Sequence, residues 1–178
     1  MRKTNLLKKG IAVLLALALV GLFASCKNDA GGEKKTYTIV CDDVTLFSGL
    51  DQEDYDEIKT SNTFTENTDY TISGTTITLT DSGLTKFIAI MEAEMLEEMA
   101  EEYGGELPEG FTYEIAALVV YEPENFCYPI TQSMYDFAAG KLTEDTDYTL
   151  KANEKIVVLT PAGYEKASTS IPLFGDED

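Results

Sequence analysis

Residues 64–87, FTENTDYTISGTTITLTDSGLTKF, return as residues 142–167, LTEDTDYTLKANEKIVVLTPAGYEKA. An internal repeat constrains a chain strongly, because each copy must build the same supersecondary unit. The shared skeleton is Thr65-Glu66-x-Thr68-Asp69-Tyr70-Thr71 against Thr143-Glu144-x-Thr146-Asp147-Tyr148-Thr149. After a turn, Leu79-Thr80-x-x-Gly83 matches Leu159-Thr160-x-x-Gly163. Each copy reads as a hairpin that feeds a helix. In the first, Tyr70 and Ile72 alternate with polar residues, Ser73-Gly74 turns the chain, and Ile77 and Leu79 alternate on the return. Thr80 suits an N-cap, with Leu79 and Leu84 as a hydrophobic staple. In the second, Thr160 caps and Pro161 takes the first helical position, where its missing N–H is no loss.

Upstream, the correspondence is looser. TYTIVC (36–41) and EIAALVVY (114–121) each read as a strand, followed by a short helix. Asp51 caps QEDYDEI, with Leu50 and Tyr55 as its staple. ITQSMYDFAAG places Ile130, Met134 and Phe137 at helical spacing and stops at Gly140. The expected unit is therefore β-α-β-β-α, present at 37–105 and again at 106–178. The fold class is α+β, with a mostly antiparallel sheet of six strands and helices on one face. Residues 37–172 are expected to form one compact domain.

The last helix distinguishes the copies. In the first it runs through GLTKFIAIMEAEMLEEMAEEY, with Leu84, Phe87, Ile88, Met91, Met95, Met99 and Tyr103 on one apolar stripe. Glutamates take the other positions, Glu94, Glu97, Glu98 and Glu101 among them. Several oppose the helix dipole, so burial of the stripe must hold the helix. The hairpin pattern TDYT…TLTDSGL resembles hairpins of bacterial surface β-sandwich modules, including pilin-like and X2-like domains. That resemblance implies an Ig-like β-sandwich as the alternative fold.

The N-terminal residues supply an address. Arg2, Lys3, Lys8 and Lys9 precede IAVLLALALVGLFA (11–24), which carries no charge. Fourteen residues reach about 21 Å as a helix, short of the about 30 Å of a bilayer core, so a secretory signal fits better than a span. Phe23-Ala24-Ser25-Cys26 resembles the lipobox of bacterial lipoproteins, although Phe23 stands where an aliphatic residue is usual. The resemblance implies cleavage after residue 25 and a diacylglyceryl thioether on Cys26. Residues 1–25 are then the signal peptide and 26–36 a flexible, lipid-anchored tether. Lys27, rather than Asp, after the cysteine favours the outer over the inner membrane.

Cleavage would remove four basic residues and take the net charge from −19 to −23. No Arg, His or Trp remains. Serine–histidine and cysteine–histidine nucleophiles and histidine metal sites are excluded. Phosphate clamps and nucleic-acid binding are disfavoured. No cofactor or metal is expected. Cys41 and Cys127 either pair as a disulfide in an oxidising compartment or lie as free thiols in a core.

The remaining chemistry is carboxylate chemistry: Asp42-Asp43, the run at 51–57 and the glutamates of the long helix. These could bind calcium or hydrolyse glycosides, but Asp56 stands where an EF-hand loop opened by Asp51 needs Gly. A solvated acidic face is the plainer reading. The methionines at 91, 95, 99 and 134 read as core rather than a pliable groove. Tyr70, Tyr148, Asp69 and Asp147 recur and read as structural. The sequence thus points to an exported, lipid-anchored, non-catalytic module for binding, adhesion or envelope structure, with an unidentified protein or glycan ligand. The alternatives are a small carboxylate hydrolase and a calcium-stabilised surface module.

Overall fold

The computed structural model describes residues 35–60 and 63–170. Cys26, the signal segment and most of the tether lie outside the described residues. The elements are β1 (Tyr37–Cys41), β2 (Val44–Leu50), α1 (Gln52–Thr60), β3 (Tyr70–Ser73), β4 (Thr76–Leu79) and α2 (Asp81–Glu102) in the first copy. The second has β5 (Ala117–Tyr121), a 3₁₀ turn (Glu122–Glu124), β6 (Phe126–Ile130), α3 (Gln132–Ala139), β7 (Tyr148–Lys151), β8 (Ile156–Leu159) and α4 (Pro161–Ser170).

The fold is α+β and duplicated, but each copy holds one strand more than expected. Two four-stranded sheets replace the single six-stranded one, in the orders β2-β1-β4-β3 and β6-β5-β8-β7. In each sheet the outer ladders are antiparallel and the central one, β1–β4 or β5–β8, is parallel. A parallel pair needs a crossover, and α1 and α3 lie within these two connections. The extra strands, β2 and β6, hide their periodicity. Two register shifts interrupt the β1–β2 ladder, and Pro129 sits inside β6. Asp42 and Asp43, both at positive φ, make the tight β1–β2 turn.

Helix starts follow the caps. Asp51 Oδ1 accepts the N–H groups of Glu53 and Asp54, and Asp54 Oδ2 accepts that of Asp51. Thr80 and Thr160 accept the N–H groups of Gly83 and Gly163. In the region read for the third helix, Ile130 instead ends β6 and Phe137 is exposed.

One core spans both copies. Tyr37, Ile39, Ile77 and Leu79 of the first sheet pack with Leu84, Phe87, Ile88 and Met91 of α2. Leu118, Val120, Cys127 and Ile156 of the second sheet join the same cluster. The opposite face of that sheet, Val119, Tyr121, Val157 and Leu159, packs with α3 and α4. Sheet and helix layers therefore alternate. The outward face of the first sheet ends the stack. Across its four strands, register aligns Ser73, Thr76, Thr38 and Ser48 in one row and Thr71, Thr78, Val40 and Thr45 in the next. In the second copy, Leu118, Val120, Ile156 and Val158 occupy the places of Thr38, Val40, Thr76 and Thr78, and they face the shared core. A polar outer face is what a terminal repeat needs.

Cys41 and Cys127 are free and buried, one on each sheet, so no disulfide joins them. Burial, then Asp42 and Asp81, pushes the Cys41 thiol up to about 11, and burial alone pushes Cys127 up to about 12. Both are inert as nucleophiles at neutral pH.

Candidate functional site

The repeated sequence signature builds a structural lock. Asp69 Oδ2 accepts the Thr65 N–H at 2.8 Å and Lys86 Nζ at 2.6 Å, while Oδ1 accepts the Ser82 hydroxyl at 2.6 Å. Its carbonyl oxygen accepts the Thr80 N–H at 2.9 Å and hydroxyl at 3.1 Å. A Cβ at Gly83 would overlap that same carbonyl. Asp147 repeats the arrangement with Thr143, Lys166, Thr160 and Gly163. The place of Ser82 is taken by Ala162. Lys86 first, then Ser82 and the Thr65 N–H, hold the Asp69 carboxyl down at about 2. Lys166 and then Thr143 lower that of Asp147. Both carboxylates tie the hairpin to the helix, Asp69 through both oxygens and Asp147 through Oδ2. Tyr70 and Tyr148, beside them, are buried. The reading of these four residues as structural stands; the lysines and the close glycine approach were missed, although Gly-x-x-Lys recurs in both copies.

The junction between the copies is where an open site forms. A groove of about 390 Å³ runs between α2 and the second copy. Leu84, Ile88, Ala89 and Ile115 contribute its apolar wall, and Asp81, Glu92, Asn153 and Lys155 its polar groups. Ligand sites have this character: apolar lining, a few placed polar groups, and a position between packed units. A smaller apolar void of about 20 Å³ beneath α3 has room for little more than one water.

The groove rim is strained. Ala152, Asn153 and Glu154, in the β7–β8 turn, all have positive φ, at 48°, 54° and 68°. Left-handed backbone costs a non-glycine residue about 1 kcal/mol or more. The first copy turns with Gly74 at the corresponding hairpin. The neighbouring copy holds the turn in place: Asp42 Oδ2 accepts the Ala152 N–H at 3.0 Å, and Asp81 Oδ2 accepts from Asn153 Nδ2 at 3.3 Å. On the other wall, Glu92 Oε1 accepts the Ile115 N–H at 2.8 Å. Glu122 and Asn125 accept the outward N–H groups of Thr45 and Ser48 on edge strand β2. Part of the acidic excess thus serves to join the two copies.

The acidic residues singled out in the sequence do not converge. Asp42-Asp43 form a turn and Asp51 and Asp54 a cap. Among the described residues, no group of three or more acidic or cysteine side chains is placed to hold a metal ion. Asp81 and Glu92 both line the groove, but eleven residues of helix separate them by about 16 Å of rise. That exceeds the carboxylate pair separation of about 5–9.5 Å used in glycoside hydrolysis. No described helix is long and apolar enough to cross a membrane.

The expected stripe on α2 is buried only as far as Met91. Met95 and Met99 are half-buried and Tyr103 is 68% exposed. Glu94, expected on the solvent side, is instead 7% exposed, and its Oε1 has no hydrogen-bond partner. Burial first, then Glu98 and Glu97, raises its carboxyl to about 7. No family model matches the chain, and no curated protein or solved structure matches it either.

Proposed function

We propose that this protein is a non-catalytic binding module of the bacterial cell envelope, held to a membrane, the outer one in preference, through lipid on Cys26. The groove between its two copies is where it takes a ligand. The observation that carries this reading is the strained turn at 152–154, which rims an apolar groove at the copy junction and is pinned by Asp42 and Asp81 of the other copy. Strain of this kind concentrates at binding and switch sites. The absence of His and Arg after residue 25 and the separation of Asp81 from Glu92 support binding rather than turnover. The groove suits a compact ligand with an apolar middle and polar ends, such as a short peptide or a modified sugar.

Ligand-observed NMR of the purified full chain in detergent tests the reading, with a library of short peptides and oligosaccharides. Ala89 is exposed on the groove wall, so Ala89→Trp should block the groove without unfolding the protein. Hits that bind the parent chain and not Ala89→Trp, at unchanged melting temperature, support the groove. Hits indifferent to Ala89→Trp refute it.

A further inference from the structure

The second half of α2 is an appendage to the repeat. In the second copy, α4 is described as far as Ser170, which corresponds to Ile90. Its Ala167, the counterpart of Phe87, already packs against the sheet. A helix of this repeat therefore already meets its sheet at that position, and α2 continues beyond it to Glu102. Nothing apolar beyond Met91 on this helix belongs to the shared core cluster.

The appendage is unfavourable on its own. Glu94, Glu97, Glu98 and Glu101 stand three and four residues apart, and like charges at those spacings destabilise a helix. They crowd the negative end of the helix dipole. No basic residue occurs between Lys86 and Lys141 to offset them. Glu94 is more than nine-tenths buried beside Glu97 and Glu98, and one of its oxygens is unpartnered. A buried polar atom without a partner destabilises the fold that holds it. Alongside lie Met95, Leu96 and Met99, all half-buried. Methionine is adaptable and recurs on surfaces that receive apolar side chains.

Among the described residues, no group of three or more acidic side chains on this face is placed to hold a metal ion. An anionic membrane surface would repel it. The charge and the apolar neighbours call for a partner that brings both cations and apolar side chains. We infer that the second half of α2, residues 92–102, is a docking surface for a basic amphipathic segment of another protein, whose Lys or Arg groups pair with Glu97, Glu98 and Glu101 around the buried, unpartnered Glu94 and whose apolar face meets Met95 and Met99. About 16 Å of helix is offered, enough for three turns of a partner helix laid alongside.

Fluorescence anisotropy of a labelled 14-residue peptide of Leu and Lys at amphipathic helical spacing, titrated with the full chain in nonionic detergent at physiological salt, tests this. Two variants share the same detergent background, so partition into micelles cancels. Glu97→Gln/Glu98→Gln/Glu101→Gln removes three charges from the appendage. Glu66→Gln/Glu144→Gln/Glu165→Gln removes three exposed charges elsewhere. Thermal melts confirm that both are folded. The inference expects binding at least tenfold weaker for the first variant and changed less than twofold for the second. Equal weakening in both would reduce the effect to general charge attraction and overturn it, as would failure of the parent chain to bind saturably.

Discussion

Glu94→Gln should make the protein more stable, and the gain should grow with pH. The folded chain keeps the Glu94 proton until about pH 7, whereas the unfolded chain releases it near the ordinary value of 4.5. Between those values the folded state binds more protons than the unfolded state, so stability falls as pH rises through the window and levels off above it. Each tenfold difference in proton affinity is about 1.4 kcal/mol, which sets an upper bound of about 3.5 kcal/mol. Glu97 and Glu98 contribute through solvent, so about 1.5–3 kcal/mol is the expected range. Gln has the same shape and no charge to bury. Urea unfolding at pH 4.5, 6, 7 and 8 measures the difference between parent and variant, which removes the titration of every other carboxylate. The reasoning predicts a small difference at pH 4.5 that rises to a plateau above pH 7, in favour of Gln. A difference independent of pH, or a variant less stable than the parent at pH 8, would refute it.

The repeated lock predicts that Gly83→Ala and Gly163→Ala each destabilise by about 3 kcal/mol, the upper end for overpacking, since the new methyl meets the rigid carbonyl of Asp69 or Asp147. Urea midpoints shifted by less than about 0.5 kcal/mol would contradict that packing. The outward face of the first sheet predicts that Thr38→Leu/Thr76→Ile/Thr78→Val, which copies the second repeat, drives self-association through a new apolar patch. Light scattering of the concentrated protein should show dimers or larger species, and an unchanged mass would mean the face is already covered. Cys41 and Cys127 should each react with a thiol reagent only after unfolding, without prior reduction. Reaction that requires a reductant would show a disulfide.

Much of the architecture was written in local signals. Asp51, Thr80 and Thr160 announced their helices because a cap is a short-range hydrogen bond that depends on a few consecutive residues. The parallel pairing of β1 with β4 and the strands β2 and β6 were not legible, since a register shift and Pro129 break the alternation that reveals a strand. Asp69 and Asp147 were recognisable as structural from recurrence alone. Their partners Lys86 and Lys166 lie on the helix beyond the turn, and only the folded hairpin brings them close. The groove was invisible for the same reason: its walls come from residues 81–92 and 115–155. Glu94 misled because a glutamate among glutamates reads as solvated, and its burial depends on packing that the spacing of one helix does not show.

Metabolic labelling with an alkyne fatty acid tests the central claim most directly, applied to cells producing the parent chain and Cys26→Ala. The account predicts label on the parent chain, recovered with the membrane fraction, and none on Cys26→Ala. Label retained by Cys26→Ala, or absent from the parent chain, would contradict a lipid-anchored envelope protein.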